Sequence, residues 1–376
     1  MQTFPVLVLS ICSIGDPEVQ PPGRTSSHKT VELSSGADYE VIGRLEALAI
    51  ENRIAHASQV SEGRYGIQIL SFSDGELQSD TFVQTPSICT RVCWISASEV
   101  AAYLPASKQV VLADISGITK VVSEVRDNVL LAASETIGVL GVSENAAFYG
   151  RGGVELFGVR HAPESHTVKR IARMSPSPGS SPLVAHWSST SSSASGAIVV
   201  DDNACDGRIL TSLLATLDGR SLVRANIYDD GFLEIDSALS AGQLKEHVEG
   251  GLGTHSDLYI VWIAVEPRRD EFFVGTSTGA IFSGRLASMR QTRVPLSVVV
   301  EGAATSSNHP CVHDGKLVYI KARSARRGFG EVAVVDLETG SEKTLKFSCP
   351  VKFPRIIPGL IVARSNENKV VFIENE

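Results

Sequence analysis

Short apolar runs alternate with tight polar turns along most of the chain, and few of the runs are long enough for a helix. Seven turn–run pairs stand out: EGRYG before IQILSF (from Ile67), ASKQ before VVLADI (from Val110), YGRGG before VELFGV (from Val154), DGR before SLVRANI (from Ser221), TSTG before AIFSGRL (from Ala280), RGFGE before VAVVDL (from Val332) and NENK before VVFIEN (from Val370). Gly, Asn and Asp accept the positive φ angles of tight hairpin turns, and β-branched residues with partial alternation favour strands. A second apolar run precedes most of these turns, as in EVAAYL (99–104), EFFVG (271–275), KLVYIKA (316–322) and LIVAR (360–364). An earlier run often precedes that one: TRVCWIS (90–96), NVLLAAS (128–134), DLYIVWIAVE (257–266). A more polar run often follows: TKVVSEV (119–125), TRVPLSVVV (292–300), EKTLKFS (342–348).

The first residues of the seven strands are 43, 44, 67, 59, 52 and 38 apart. A repeat near 40 residues, with four short strands in each, predicts propeller blades. The expected fold is all-β: a seven-bladed β-propeller of four-stranded antiparallel blades, forming one domain over residues 1–376. The last blade has runs near 353–357, 360–364 and 369–374 and then the chain ends, so a fourth strand must come from elsewhere. FPVLVLSI (4–11) is the candidate, closing the ring between the termini and protecting sheet edges. Stretches 15–37 and 173–195 (with RMSPSPGSSP and SSTSSSASG) are low in apolar content and predict flexible segments. Residues 237–254 form an insertion with room for one short helix, closed by Gly250 and Gly251.

Composition adds limits. The chain has 376 residues, 43% hydrophobic and 20% charged, enough for a large core, and a net charge of −8 that gives no global attraction to nucleic acid or anionic membrane. No apolar run reaches the length that spans a bilayer. The apolar stretch Phe4–Cys12 has no positive residue before it, which favours a strand over a signal peptide. Six scattered cysteines (12, 89, 93, 205, 311, 349) contain no C-x-x-C and predict buried free thiols in an intracellular protein, cytoplasmic or nuclear.

VVLADISG (110–117) and VAVVDLETG (332–340) resemble the end of a WD repeat, with Asp114 and Asp336 at its Asp position, and 262–286 resembles a repeat core. On these residues the chain resembles the WD40-type propellers. It lacks the Trp-Asp dipeptide, with Ala113 and Val335 in the Trp place, and it lacks the Gly-His dipeptide. The resemblance implies a non-catalytic protein-interaction scaffold.

Gly275-Thr276-Ser277-Thr278-Gly279 spells the G-x-S-x-G of serine hydrolases. That elbow needs strand, turn and helix. Here FFV precedes and AIFSG follows, so Ser277 is expected in a hairpin turn. His309, Cys311 and His313 are spaced to share one face of a strand, beside Asp314, but adjacent same-face ligands lie about 7 Å apart and suit a tetrahedral metal poorly. Cys89 and Cys93 read as core thiols, and Asp201-Asp202-Asn203 and Asp229-Asp230-Gly231 as turns. No cofactor is implied.

Turns joining second to third strands would share one face. They carry Arg64, Lys108, Arg151, Arg220, Arg326 with Arg327, and Lys369, a basic residue in six of seven. Glu62, Asp218 and Glu367 offset part of this, leaving a surplus at Lys108, Arg151 and KARSARRG (321–328), which includes Arg323, Arg326 and Arg327. That surplus predicts a face for other proteins, through an acidic or phosphorylated peptide, within a hetero-complex, with nucleic acid ranked last. The competing function is a lactonase-like propeller hydrolase, which needs groups such as His56, His186, His313, Asp201 and Asp314 to meet at the central channel.

Overall fold

The computed structural model describes residues 30–32, 39–48, 52–60, 63–94, 97–122, 129–134, 138–143, 155–159, 168–173, 198–201, 209–216, 221–228, 233–240, 243–244, 258–266, 269–291, 294–304, 310–321 and 330–375. The described strands form seven four-stranded antiparallel sheets. Sheets 1 to 6 occupy 39–85, 91–122, 129–173, 198–240, 260–300 and 311–347, each built from four consecutive strands. Sheet 7 takes three strands from 351–374 and its fourth from Thr30–Glu32. The first strand of each sheet packs on the first strand of the next, and that of sheet 7 on that of sheet 1. The sheets therefore stand in a closed ring with their first strands innermost, a β-propeller.

Most of these sheets are covered on both sides, which explains the weak alternation in sequence. Val100–Leu104 is buried at all five positions. In sheet 1, Ile54, Val60, Leu70 and Phe72 join a core shared with sheet 7 (Ile357, Val362, Phe372), while Ala55, Ala57, Ile67 and Ile69 join a core shared with sheet 2. The strands Arg53–Val60 and Arg64–Ser73 thus each feed two inter-sheet cores by simple alternation.

The turn between first and second strands repeats one device. Asn52, Asp270, Gly315 and Gly359 have φ of 51°, 53°, 68° and 75°. Their carbonyls accept the backbone N–H of Phe72, Leu286, Leu337 and Asn375 at 2.8–2.9 Å, tying the turn to the far end of the third strand. An otherwise orphaned carbonyl is thus satisfied in sheets 1, 5, 6 and 7.

Three expectations are corrected. The closing strand is Thr30–Glu32, paired Thr30↔Ile373, Val31↔Phe372 and Glu32↔Val371, and not 4–11, which lies outside the described residues. Only six residues, 33–38, separate it from Tyr39, so it closes the ring through a far shorter loop than 4–11 would need, at lower entropic cost. It follows that 15–37 is not wholly irregular. The insertion assigned to 237–254 begins later, because 237–240 complete the strand Leu233–Ser240. Beyond it Gln243 and Leu244 are helical, and Leu244 is buried with Leu239 and Leu258. Of 173–195 only Arg173 is described, as the end of Val168–Arg173.

Candidate interaction face

Strand direction alternates through each sheet, so second-to-third turns and sheet-to-sheet connections emerge together on one face of the ring. Four of these turns place a left-handed residue at or just before the third strand: Gly63 (φ 76°), Lys108 (φ 53°), Gly279 (φ 88°) and Asn368 (φ 63°). Glycine and asparagine suit this position; a lysine costs roughly 1 kcal/mol of backbone strain. Lys108 is exposed, as is Arg64 at the start of Arg64–Ser73. Glu367 is exposed beside half-buried Lys369, whose N–H donates to Ser365 Oγ at 3.1 Å. Arg151, Arg220, Arg323, Arg326 and Arg327 lie outside the described residues. The strand ends that flank them, such as Ser143 and Glu155 or Ile320 and Gly330, are at this face.

Lys321, the first residue of the basic loop, is already engaged. Its Nζ contacts Glu342 Oε1 at 2.6 Å and Thr344 Oγ1 at 2.9 Å. Tyr319 donates its hydroxyl to Glu342 Oε2 at 2.6 Å. Partial burial pushes the Glu342 carboxyl upward, but the hydrogen bonds from Lys321 and Tyr319 outweigh it and hold it below the usual range. Burial, with the same carboxylate, raises the Tyr319 phenol. The loop's surplus charge therefore resides in its arginines.

Ser277 sits in the hairpin between Glu271–Thr276 and Ile281–Arg285. Its Oγ accepts the Tyr259 N–H at 3.1 Å and its own N–H donates to Tyr259 O at 2.8 Å, so the turn is docked on the segment entering the first strand of sheet 5. Strand–turn–strand geometry gives it no helix N-terminus. The Gly279 carbonyl accepts the Ala303 N–H at 2.9 Å, binding the turn to the connection leaving the same sheet.

The other described sequence candidates fall on three different sheets. His56 is on the second strand of sheet 1, Asp201 ends the first strand of sheet 4, and His313 ends the first strand of sheet 6 next to Asp314; His186 and His309 lie outside the described residues. Among the described residues no group of three or more His, Cys, Asp or Glu is placed to hold a metal ion. Cys89, Cys93, Cys311 and Cys349 form no disulfide with one another. Burial pushes Cys89 up to about 12, and its Sγ donates to Gly66 O at 3.1 Å. Among the described residues no helix is long and apolar enough to cross a membrane.

Asp114 and Asp336 each end a third strand on the opposite face, as the repeat resemblance implies. Asp114 Oδ1 accepts the N–H groups of Ser116 (2.7 Å) and Gly117 (3.2 Å), and Asp336 Oδ1 those of Glu338 (3.0 Å) and Thr339 (2.8 Å). These bonds fix the third-to-fourth turns and hold both carboxyls below the usual range.

A polar chain inside sheet 1 was not legible in sequence. His56, Ser58 and Gln68 are buried, and Gln68 Nε2 donates to Asp80 Oδ1. Single polar letters in apolar strands carry no signal of what they meet across the sheet.

No family model matches the chain, and no curated protein matches it in sequence. Solved structures do match. The β-propeller domain of Cps50 (Swd1) from Myceliophteria thermophila aligns with a TM-score of 0.55 and 11% identity, over 90% of this chain and 96% of that one. The WD40 β-propeller domain of Doa1 aligns with a TM-score of 0.52 and 14% identity, over 94% and 98%.

Proposed function

We propose that this chain, which has the fold of the WD40-type β-propellers, is a non-catalytic adaptor subunit of an intracellular protein complex, cytoplasmic or nuclear. It binds an acidic or phosphorylated segment of a partner protein on the face of its second-to-third turns. The fold supports the general role, since a rigid ring of sheets displays many short turns on one plane; fold alone does not fix a partner. The observation that carries the specific reading is Lys108. Sister turns in sheets 1, 5 and 7 use Gly63, Gly279 and Asn368 at the left-handed position, and sheet 2 retains a lysine there at a backbone cost. An exposed side chain kept against that cost points to a use for its charge. Arg151, Arg323, Arg326 and Arg327 extend the same basic surplus.

Lys108→Gly separates charge from folding. Glycine relieves the left-handed strain but loosens the unfolded chain, so the unfolding free energy from urea titration should hold or rise by up to about 1 kcal/mol. Partner capture should weaken several-fold, and Arg326→Glu with Arg327→Glu should abolish it. Capture of the same partners at undiminished yield by both variants would remove the basic face from the account.

A further inference from the structure

The ring closes at one seam, between sheets 1 and 7, and that seam is chemically unlike the other described interfaces. Its apolar part joins Val41, Leu45, Ile54, Leu70 and Phe72 to Ile357, Val362 and Phe372, with the two phenyl rings edge-on at 5.7 Å. Among the described residues eight polar or charged ones are buried. Four of them, His56, Ser58, Gln68 and Arg355, lie on seam-facing positions of these two sheets, as their pairing with Leu70-side and Val362-side neighbours places them.

The hydrogen bonds set the imidazole's state. Asp80 accepts from Gln68 Nε2, which turns the Gln68 Oε1 toward Ser58. Ser58 Oγ donates its one proton to that oxygen at 3.2 Å. His56 Nδ1, 2.9 Å from Ser58 Oγ and 3.2 Å from Ala57 O, must then carry the ring hydrogen. An added proton goes to Nε2. Arg364, on the second strand of sheet 7, is a cation whose charge acts on the ring, and its Nε donates to Asn368 Oδ1 at 3.2 Å. Asn368 O accepts the Val41 N–H at 2.7 Å, so the same turn is held by the first strand of sheet 1. Arg355, with Nη1 on Pro354 O at 2.9 Å, adds a second cation on the sheet 7 side, and Glu40 and Asp80 are the carboxylates on the sheet 1 side. Protonation would place a third cation in a wall that already holds two.

We propose that the seam is an acid-operated opening point: protonation of His56 parts sheet 1 from sheet 7 and releases the three-residue closing strand Thr30–Glu32, while the neighbouring inter-sheet cores stay shut. Desolvation pushes the imidazole down to about 4, against its ordinary 6.5, with Arg364 contributing in the same sense. An open seam binds the proton more readily than a closed one, so closure is fully favoured above pH 6.5 and weakens as pH falls toward 4. The closed-to-open ratio should drop by about 80-fold over that interval, out of the roughly 300-fold that the full shift allows.

The test uses Val362→Cys, which places a thiol in the seam core, with native Cys89 in the sheet 1–sheet 2 core as internal control. Labelling by 4,4′-dithiodipyridine, which reacts in acid, is followed from pH 7 to 3.5 with each site read by peptide mass. The seam thiol should become at least tenfold more reactive than Cys89 near pH 4. His56→Gln in the same background should erase that rise. A disulfide from Glu32→Cys with Val371→Cys, paired between the closing strand and the last strand of sheet 7 and outside the seam core, should erase it independently and serves if the glutamine variant fails to fold. Equal reactivity of the two thiols throughout the acid range would mean global unfolding and would overturn the proposal. So would an acid response unmoved by His56→Gln and by the disulfide.

Discussion

Gly330→Ala should lower the folding stability by about 3 kcal/mol or more, the largest loss expected from adding one methyl group to this chain. Gly330 opens the third strand of sheet 6 opposite Phe347. A Cβ there would lie 2.0 Å from Cys349 O and 2.8 Å from Phe347 Cβ. The obstacle is backbone, in the three-residue connection 348–350 that leads into Val351–Ile357, the innermost strand of sheet 7. Relief requires moving one sheet relative to the next, and close-packed interiors resist that. Urea unfolding should show a lower midpoint with an unchanged slope. An unfolding free energy within about 0.5 kcal/mol of the parent would mean that this connection yields freely, contrary to the packing described.

Gly279→Ala should cost about 2–3 kcal/mol by two separate routes. Its φ of 88° is left-handed, and a Cβ would come 2.5 Å from Ala303 O. The second penalty falls on the contact that docks the Ser277 turn, because Ala303 N–H donates to Gly279 O. Amide exchange at Ala303 and at Ala304, whose N–H donates to Ile320 O, should accelerate more than exchange in sheet 1. Uniform acceleration, or none, would show that the turn is not coupled to the connection between sheets 5 and 6. Lys108→Gly at the equivalent turn position has the opposite sign, which makes the pair a check on the left-handed assignment.

Strand positions were readable where a turn residue with a strong backbone preference bordered a β-branched run. All seven turn–run pairs fall on third strands, with Ser221–Tyr228 and Val370–Glu374 starting at the expected residue. EVAAYL and EFFVG likewise fall on second strands. Closure of the last sheet by an N-terminal strand holds, but the strand is Thr30–Glu32 rather than the more apolar 4–11. The edge position of sheet 7 needs no such run: three residues with one apolar side chain, Val31, suffice when the connection to the next strand is short. Bulges in the innermost strands, as between Ile42 and Leu45 or Lys352 and Arg355, carry no sequence mark. Phe353 takes a φ of 52° there, a conformation no pattern rule assigns to phenylalanine. Ser277 was legible as a turn from what flanks it. The His56–Ser58–Gln68–Asp80 chain was not, since its members are drawn from three strands whose register only the fold supplies. The basic turns were legible as charge, while the left-handed backbone of Lys108 shows only in the fold.

The central claim, a scaffold that holds partners on its basic turn face, is tested most directly by affinity purification of the tagged protein from its native cell at low and at high salt, read by mass spectrometry. The account predicts a stoichiometric set of partner proteins at low salt that is lost at high salt, as screening removes exposed charge attraction, and that is absent with Arg326→Glu and Arg327→Glu. Recovery of the chain alone under both conditions, or a partner set indifferent to salt and to charge reversal, would contradict it.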